Sequence, residues 1–185
     1  MIDEVLLETE DKMDKTVQFL QQELSGLRTG KANPALVDTI TVDYYGTPTR
    51  MRDIANISTP EPRLIVINPF DPSSLGLIEK AIVAANIGIT PMNDGRLIRV
   101  PIPELSEERR KDMAKMAGRT TEEQRISVRN IRRDANDQIK GLQKNGDITE
   151  DDRDSALEEI QKSTDEHIKK MDEMLAAKEK DIMEV

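Results

Sequence analysis

The sequence predicts an α+β fold in which a small β/α module is inserted into a long antiparallel three-helix bundle. Two observations support this fold class. Apolar residues recur every three or four positions over three long segments, whereas the segment between the first two alternates and is punctuated by proline and glycine. Aromatic residues make up only 2% of the chain, which favours small aliphatic cores between helices over one large core.

The first helix is predicted over residues 3–27. Its apolar positions form a seam of the kind that packs in helical bundles. They are Ile2, Leu6, Thr9, Met13, Val17, Leu20, Leu24 and Leu27. We expect this helix to end near Arg28 with Gly30 as a left-handed cap, and Asn33-Pro34 prevents it from resuming.

The inserted module is predicted over residues 31–104. Strands are predicted at 39–44, 63–68 and 97–100, a turn at 45–48 and one short helix at 72–86. The chain leaves the module through residues 100–104, which contain Pro101 and Pro103 and are therefore extended and stiff. These patterns assign residues 1–30 and 105–185 to the bundle and residues 31–104 to the module.

The second and third helices follow the module. Ser106 is the expected N-cap of a helix over residues 106–144, in which Gly118 and Gly141 are the positions where a bend or fray is expected. Thr149 and Asp152 form a capping box for the third helix. The seam of this third helix consists of Leu157, Ile160, Thr164, Ile168, Met171, Leu175 and Ile182.

A basic row lies beside the apolar seam of the second helix. At about 100° per residue, Arg125, Arg129, Arg132, Asn136 and Lys140 fall within an arc of roughly 80°. The apolar seam of Val128, Ile131, Ala135, Ile139 and Leu142 is centred about 100° from this row. Asp134 and Asp137 lie on neither stripe, so we expect the arginines to have no close acidic partners along their own row.

Two interpretations of this row remain open. Charged rows on helices are usually solvated surfaces, but a preference for arginine over lysine favours phosphate binding, because guanidinium groups match phosphate oxygens bidentately. The net charge of −9 is unevenly distributed: residues 1–27 carry −5, 28–104 carry 0, 105–146 carry +4 and 147–185 carry −8. Screening over about 8 Å at physiological salt makes an RNA phosphate respond mainly to the local patch.

The composition argues against several classes of site. Without cysteine, the chain has no disulfide, thiolate nucleophile or zinc-thiolate centre. The single histidine, His167, adjoins the third seam, which favours a packing or solvated role over catalysis. Residues 26–32 lack the spacing of a phosphate loop, and Asp152 occupies the position where a calcium loop needs glycine. We therefore expect no catalytic site, no cofactor and no metal.

The expected location is the cytoplasm. No apolar run approaches the roughly 18 residues of a membrane span. The acidic start Met1-Ile2-Asp3-Glu4 is unlike a signal peptide. We expect no membrane contact.

Four motifs, in order along nearly the whole chain, carry a family resemblance. They are Leu27-Arg28-Thr29-Gly30-Lys31-Ala32, Tyr44-Tyr45-Gly46-Thr47-Pro48, Glu107-Glu108-Arg109-Arg110-Lys111 and the stretch from Val128 to Asp137. Together they resemble the bacterial ribosome recycling factor family. The resemblance implies an L-shaped, tRNA-sized protein, a monomer, whose long arm is the bundle and whose short arm is a β/α sandwich.

The same resemblance implies a role after translation termination. Members of the family bind large-subunit ribosomal RNA through the bundle and act with elongation factor G, which hydrolyses GTP, to split the ribosome and release mRNA and tRNA. It implies RNA contacts for Arg28, Arg129, Arg132 and Arg133, to which the basic row adds Arg125. Residues 31–104 would face the elongation factor. The hinge would comprise Gly30, Lys31, Pro103, Glu104 and Leu105.

Two alternatives from other functional classes remain. A structural coiled-coil adaptor would make the arginine row incidental, and it would be a dimer that does not associate with ribosomes. An unrecognised hydrolase would bring two carboxylates together in a pocket of the module.

Overall fold

A computed structural model describes residues 1–184 of the chain. In chain order its helices are α1 (Ile2–Ser25), α2 (Ala35–Asp38), α3 (Met51–Ile54), α4 (Leu75–Ala85), α5 (Glu107–Lys144) and α6 (Glu150–Met183). Its strands are β1 (Thr41–Tyr44), β2 (Thr47–Arg50), β3 (Ala55–Glu61), β4 (Leu64–Pro69), β5 (Met92–Asn93) and β6 (Ile98–Pro101).

The chain forms two compact units. The bundle unit comprises Met1–Leu24 and Ala114–Lys180, and the module unit comprises Ser25–Met113 with the residues from Asp181 onward. The predicted domain boundaries, which assign 1–30 with 105–185 to one domain and 31–104 to the other, stay a prediction. The α+β class, with a long helical bundle and a small antiparallel sheet, is confirmed.

The bundle unit packs three helices around small aliphatic cores. Near the end of α5, Ala135 and Ile139 pack against Ala156 and Ile160 from the beginning of α6. The start of α1 covers the same cluster with Ile2, Val5 and Leu6. Since the beginning of α1 meets the end of α5, and the end of α5 meets the beginning of α6, α5 runs antiparallel to both other helices.

Local capping signals set the ends of the long helices. The Ser106 hydroxyl accepts a hydrogen bond of 3.2 Å from the Arg109 amide at the start of α5. At the start of α6, the Asp152 amide donates to the Thr149 hydroxyl at 3.1 Å, and the Thr149 amide donates to the Asp152 carboxylate at 3.2 Å. The predicted N-cap and capping box are therefore confirmed.

The module unit contains a four-stranded antiparallel sheet, in the order β3-β4-β6-β5, and a separate β1-β2 hairpin. Ile65 and Ile67 of β4 are fully buried with Ile78 and Ile82 of α4, so the helix and the sheet share one core. The hairpin turns at Tyr45 and Gly46, whose φ angles of 49° and 83° are those of a two-residue turn matched to strand twist.

Several predicted details of the module need correction. The predicted turn at 45–48 is shorter, because Thr47 and Pro48 already pair in β2. Gly30 is not a left-handed cap, because it is not among the glycines that have a positive φ angle. The Thr29 hydroxyl instead accepts a 3.2 Å hydrogen bond from the Lys31 amide and turns the chain. The left-handed cap of α4 is Asn86, with φ 49°.

Five short elements were not predicted. They are α2, α3, β2, β3 and β5. Strand β3 lies at the sheet edge, most of its residues are exposed, and it contains Pro60. An edge strand needs neither a buried face nor every amide donor, so its sequence lacks the alternation of a central strand.

Among the described residues, no helix has the length and apolarity needed to cross a membrane.

Replacing either glycine inside α5, Gly118 or Gly141, by alanine is expected to stabilise the protein. Helix α5 continues through Gly118 and Gly141, and a Cβ at either position would meet nothing within 4 Å. Gly118→Ala and Gly141→Ala should each raise the free energy of unfolding by about 0.5–1 kcal/mol, because alanine loses less backbone entropy in a helix.

Urea denaturation of the three single variants tests this prediction. Gly146→Ala is the matched control: its φ of 82° is left-handed, so the same substitution should destabilise the protein by about 1 kcal/mol. A loss of stability in both α5 variants would show that the helix needs glycine there.

Candidate nucleic-acid interface

The basic row lies where the helical period predicts, beside the buried face of α5. Val128, Ala135 and Ile139 are at most 2% exposed and hold that face inside the bundle unit. Arg129 and Arg132 are half-buried on the flank, and Arg133 is exposed. The row is therefore accessible along one side of the bundle unit.

Arg125 is tied to carboxylates at both ends of its guanidinium. Its Nε donates to Asp172 Oδ1 of α6 at 2.8 Å, its Nη2 contacts the same oxygen, and its Nη1 donates to Glu122 Oε2 at 2.9 Å. The Arg125 side chain is only 20% exposed. This arrangement joins α5 to α6 and leaves little of the Arg125 guanidinium for an external ligand.

The expectation that the row has no acidic partner of its own is wrong at Glu122. Helical spacing places this residue on the row, one turn before Arg125 and two turns before Arg129. Arg129 Nη1 donates to Glu122 Oε1 at 3.2 Å, while the Arg129 side chain remains 43% exposed. Glu122 therefore divides its two carboxylate oxygens between two arginines.

Glu122 is ionised at neutral pH. Hydrogen bonds from Arg125, and then from Arg129, lower the pKa of Glu122 below its ordinary value of 4.5. Because its pKa is lowered, the stability that this interaction contributes is fully present above about pH 4.5, the ordinary pKa, and is lost as the pH falls through the folded-state value. Under physiological conditions, the negative charge of Glu122 therefore partly compensates the positive charges of Arg125 and Arg129.

Arg132 and Arg133 differ from the first two arginines. Arg132 Nη1 donates to the neutral Gln161 Oε1 of α6 at 3.3 Å. Arg133 is exposed and has no ion pair or hydrogen bond to its guanidinium within residues 1–184. These two guanidiniums have no carboxylate partner among the described residues, so they can bind a phosphate without losing an internal ion pair.

Arg28 belongs to the module unit, where backbone groups surround its guanidinium. Its Nη2 donates a long hydrogen bond of 3.4 Å to the Pro103 carbonyl. A Cβ at Gly88 would come within 3.0 Å of Arg28 Nη1, so the glycine allows this close approach. Arg28 is half-buried, and its Nε is buried without a hydrogen-bond partner among the described residues.

The predicted hinge residues are anchored within the module unit. Lys31 Nζ pairs with Glu184 Oε2 at 2.6 Å, and Arg63 Nη2 pairs with Glu104 Oε1 at 2.5 Å. Leu105 is 7% exposed. Glu104 and Glu184 line one shallow pocket, but each is paired with a cation there, unlike the two converging carboxylates that a hydrolase would require.

His167 is a buried polar contact between α6 and α1. Its Nδ1 donates to the Ser163 carbonyl at 2.6 Å, and its Nε2 lies 2.7 Å from Asp14 Oδ1. Glu10 lies close enough for these three side chains to bring ligand atoms within 4.8 Å of one another. Two ligands of a tetrahedral zinc ion would be about 3.3 Å apart, so a hydrogen bond explains the His167–Asp14 distance better than a metal.

Comparison with known proteins agrees with these features. The model of the family described as "Ribosome recycling factor" matches residues 20–183. The chain belongs to the ribosome recycling factor family. This confirms the resemblance carried by the four sequence motifs and identifies a family of translation factors.

Similar members of the family extend over the full chain. The ribosome-recycling factor of Bacillus licheniformis is 50% identical over 185 residues, with 100% of both chains covered. That of Staphylococcus aureus is 50% identical over 182 residues, covering 98% of this chain and 99% of the relative. The likeness therefore includes α1, α5 and α6 as well as the inserted module.

Solved structures of ribosome recycling factors share the fold. A solution structure of the ribosome recycling factor has a TM-score of 0.82 and 39% identity, covering 100% of this chain and 98% of the other. A second structure has a TM-score of 0.72 and 42% identity, covering 99% of each chain. It presents models for the T. thermophilus ribosome recycling factor and the E. coli elongation factor G bound to the E. coli post-termination complex.

The predicted site residues fall into three environments in this family member. Arg125 and Arg129 have carboxylate partners, Arg132 and Arg133 have none among the described residues, and Arg28 lies against backbone of the module unit. Sequence reasoning missed the carboxylates Glu122 and Asp172. The spacing of Glu122 on α5 could have revealed the first, whereas the second depends on how α6 packs against α5.

The contacts of Arg125 predict that replacing this residue lowers the stability of the protein, an effect not expected for the other arginines. Arg125→Ala should lower the free energy of unfolding by about 1 kcal/mol, because it removes a partly buried link between α5 and α6. Arg133→Ala removes the same charge from an exposed side chain and should change stability by less than about 0.5 kcal/mol.

Chemical denaturation of both variants at one ionic strength makes this comparison. The two substitutions change net charge equally, so the difference between them reports the contacts of Arg125. Equal stability of the two variants would mean that the Asp172 pair contributes nothing measurable.

Proposed function

We propose that this protein recycles ribosomes after termination by docking on large-subunit ribosomal RNA through Arg129, Arg132 and Arg133. The observation that carries the proposal is the uncompensated charge of Arg132 and Arg133 on an accessible flank of α5. Arg132 and Arg133 can contact phosphates without first breaking an ion pair, whereas Arg129 is paired with Glu122.

The remaining basic residues have different parts in this proposal. Arg125 supports the row by holding α5 to α6 and makes no primary RNA contact, because two carboxylates already occupy its guanidinium. Arg28 is a further RNA contact, supported by the family resemblance and by its partly accessible side chain. The scarcity of aromatic residues, 2% of the chain, disfavours base stacking as the main mode of binding.

Elongation factor G is the proposed protein partner. A similar solved structure presents a recycling factor and this elongation factor on one post-termination complex. By the family resemblance, the module at residues 31–104 meets the elongation factor, and GTP hydrolysis by the partner supplies the energy for separating the subunits. The protein itself then acts in the cytoplasm, with no catalytic site and no cofactor of its own.

Arg132→Ala tests the RNA contact. Binding of the variant to large ribosomal subunits should weaken, and the slope of log affinity against log salt should become shallower by about one unit, since one phosphate contact is lost. Lys170→Ala is the control: Lys170 is an exposed cation of α6 that lies off the basic row. Its removal should leave the slope nearly unchanged.

Binding should be measured at two or more salt concentrations with all three proteins. The same affinity for the wild type and Arg132→Ala would contradict the proposed contact. A dimeric wild type that fails to bind large subunits would favour the structural adaptor instead.

A further inference from the structure

Glu122 is an acidic residue inside the proposed RNA-binding row. Its Oε2 accepts from Arg125 at 2.9 Å and its Oε1 accepts from Arg129 at 3.2 Å. An RNA phosphate that approaches Arg129 therefore meets a guanidinium whose charge is partly compensated by an adjacent carboxylate. The question is whether this carboxylate favours or opposes docking.

The two arginines respond differently to a competing phosphate. Arg125 is also held by Asp172 and is 20% exposed, so its position survives the loss of Glu122. Arg129 has Glu122 as its one ion-pair partner among residues 1–184, and its side chain is 43% exposed. Arg129 is therefore the guanidinium that can exchange a carboxylate for a phosphate.

Whether Glu122 supports or opposes docking depends on the size of two effects, the ordering of the Arg129 side chain and the repulsion between the carboxylate and a bound phosphate. An exposed ion pair orders a side chain only weakly, because water and salt screen the attraction between the two charges. A phosphate bound to Arg129 would also lie within several ångströms of the Glu122 carboxylate, where two negative charges repel each other. Competition and repulsion act together against docking, whereas the gain from orienting Arg129 is small.

We propose that the Glu122 carboxylate competes with RNA for Arg129 and holds this guanidinium in a partly neutralised state until an RNA phosphate displaces the carboxylate. This inference rests on the proposed function of the row. Arg132 and Arg133 make the first contacts, and Arg129 joins only on an RNA surface that also places a phosphate beside Glu122. The arrangement weakens binding to arbitrary RNA and makes release from the ribosome easier.

Glu122→Gln tests the proposal, with Glu123→Gln as a matched control. The control removes the same charge from the next residue of α5, which is exposed and has no side-chain partner within residues 1–184. Glu122→Gln should bind large subunits about twofold to fivefold more tightly than Glu123→Gln, the range expected for one exposed ion pair. Its salt slope should change by less than one unit, because Arg129 contacts a phosphate in both complexes and the number of phosphate contacts stays the same.

The Arg129→Ala background identifies the arginine through which Glu122 acts. Adding Glu122→Gln to Arg129→Ala should tighten binding no more than adding Glu123→Gln does. Thermal melts of each variant establish that the helices remain folded, and the Arg125–Asp172 pair is expected to keep α5 in place.

Each other outcome overturns the inference. Equal affinities of Glu122→Gln and Glu123→Gln would leave only a general charge effect. Weaker binding by Glu122→Gln would mean that the carboxylate orients Arg129 for RNA. Tightening that persists without Arg129 would place the effect at another residue. If Arg132→Ala binds as well as the wild type, the proposed function of the row itself fails, whatever the glutamate variants do.

Discussion

Val128, Ala135 and Ile139 are buried in the bundle unit, and their burial fixes the rotation of α5 about its own axis. A helix with a buried stripe cannot turn without exposing that stripe, and fully burying one aliphatic side chain is worth about 1.5–3 kcal/mol. Because side chains three or four positions apart share a face, the same rotation directs Arg129 and Arg132 to the adjoining flank. Aliphatic packing thus sets the direction in which the charged groups point.

Polar contacts between the helices add to the aliphatic packing and fix the helices in register. Arg125 and Asp172 join α5 to α6 on one side of the bundle unit, while His167 and Asp14 join α6 to α1. Both contacts use directional hydrogen bonds between helices, so they fix register as well as distance. Arg132 and Arg133 are left without carboxylate partners, and this division between supporting and available cations is the chemical feature on which the proposed docking depends.

The sequence predicted those parts of the fold whose signals are local. Helix α5 was predicted at nearly its observed bounds because Ser106 and Asn145-Gly146 mark its ends, and the Thr149–Asp152 capping box marked α6 equally well. The prediction of a left-handed cap at Gly30 is wrong because the chain turns there through the hydrogen bond from the Lys31 amide to the Thr29 hydroxyl. Strands β3 and β5 escaped because one is an exposed edge strand and the other has two residues. The helical period predicted the basic row. It could not predict the contact between Arg125 and Asp172, because that contact depends on the register between α5 and α6.

The central claim is that the α5 flank bearing Arg132 and Arg133 faces ribosomal RNA, and directed hydroxyl-radical probing tests it most directly. The sequence has no cysteine, so Asn130→Cys, exposed on α5 directly after Arg129 in sequence, can carry a single tethered iron chelate. Lys170→Cys, exposed on α6 and off the row, supplies the comparison. On large subunits, the Asn130 probe should cleave ribosomal RNA strongly and the Lys170 probe weakly. Strong cleavage from Lys170 with none from Asn130 would contradict the account.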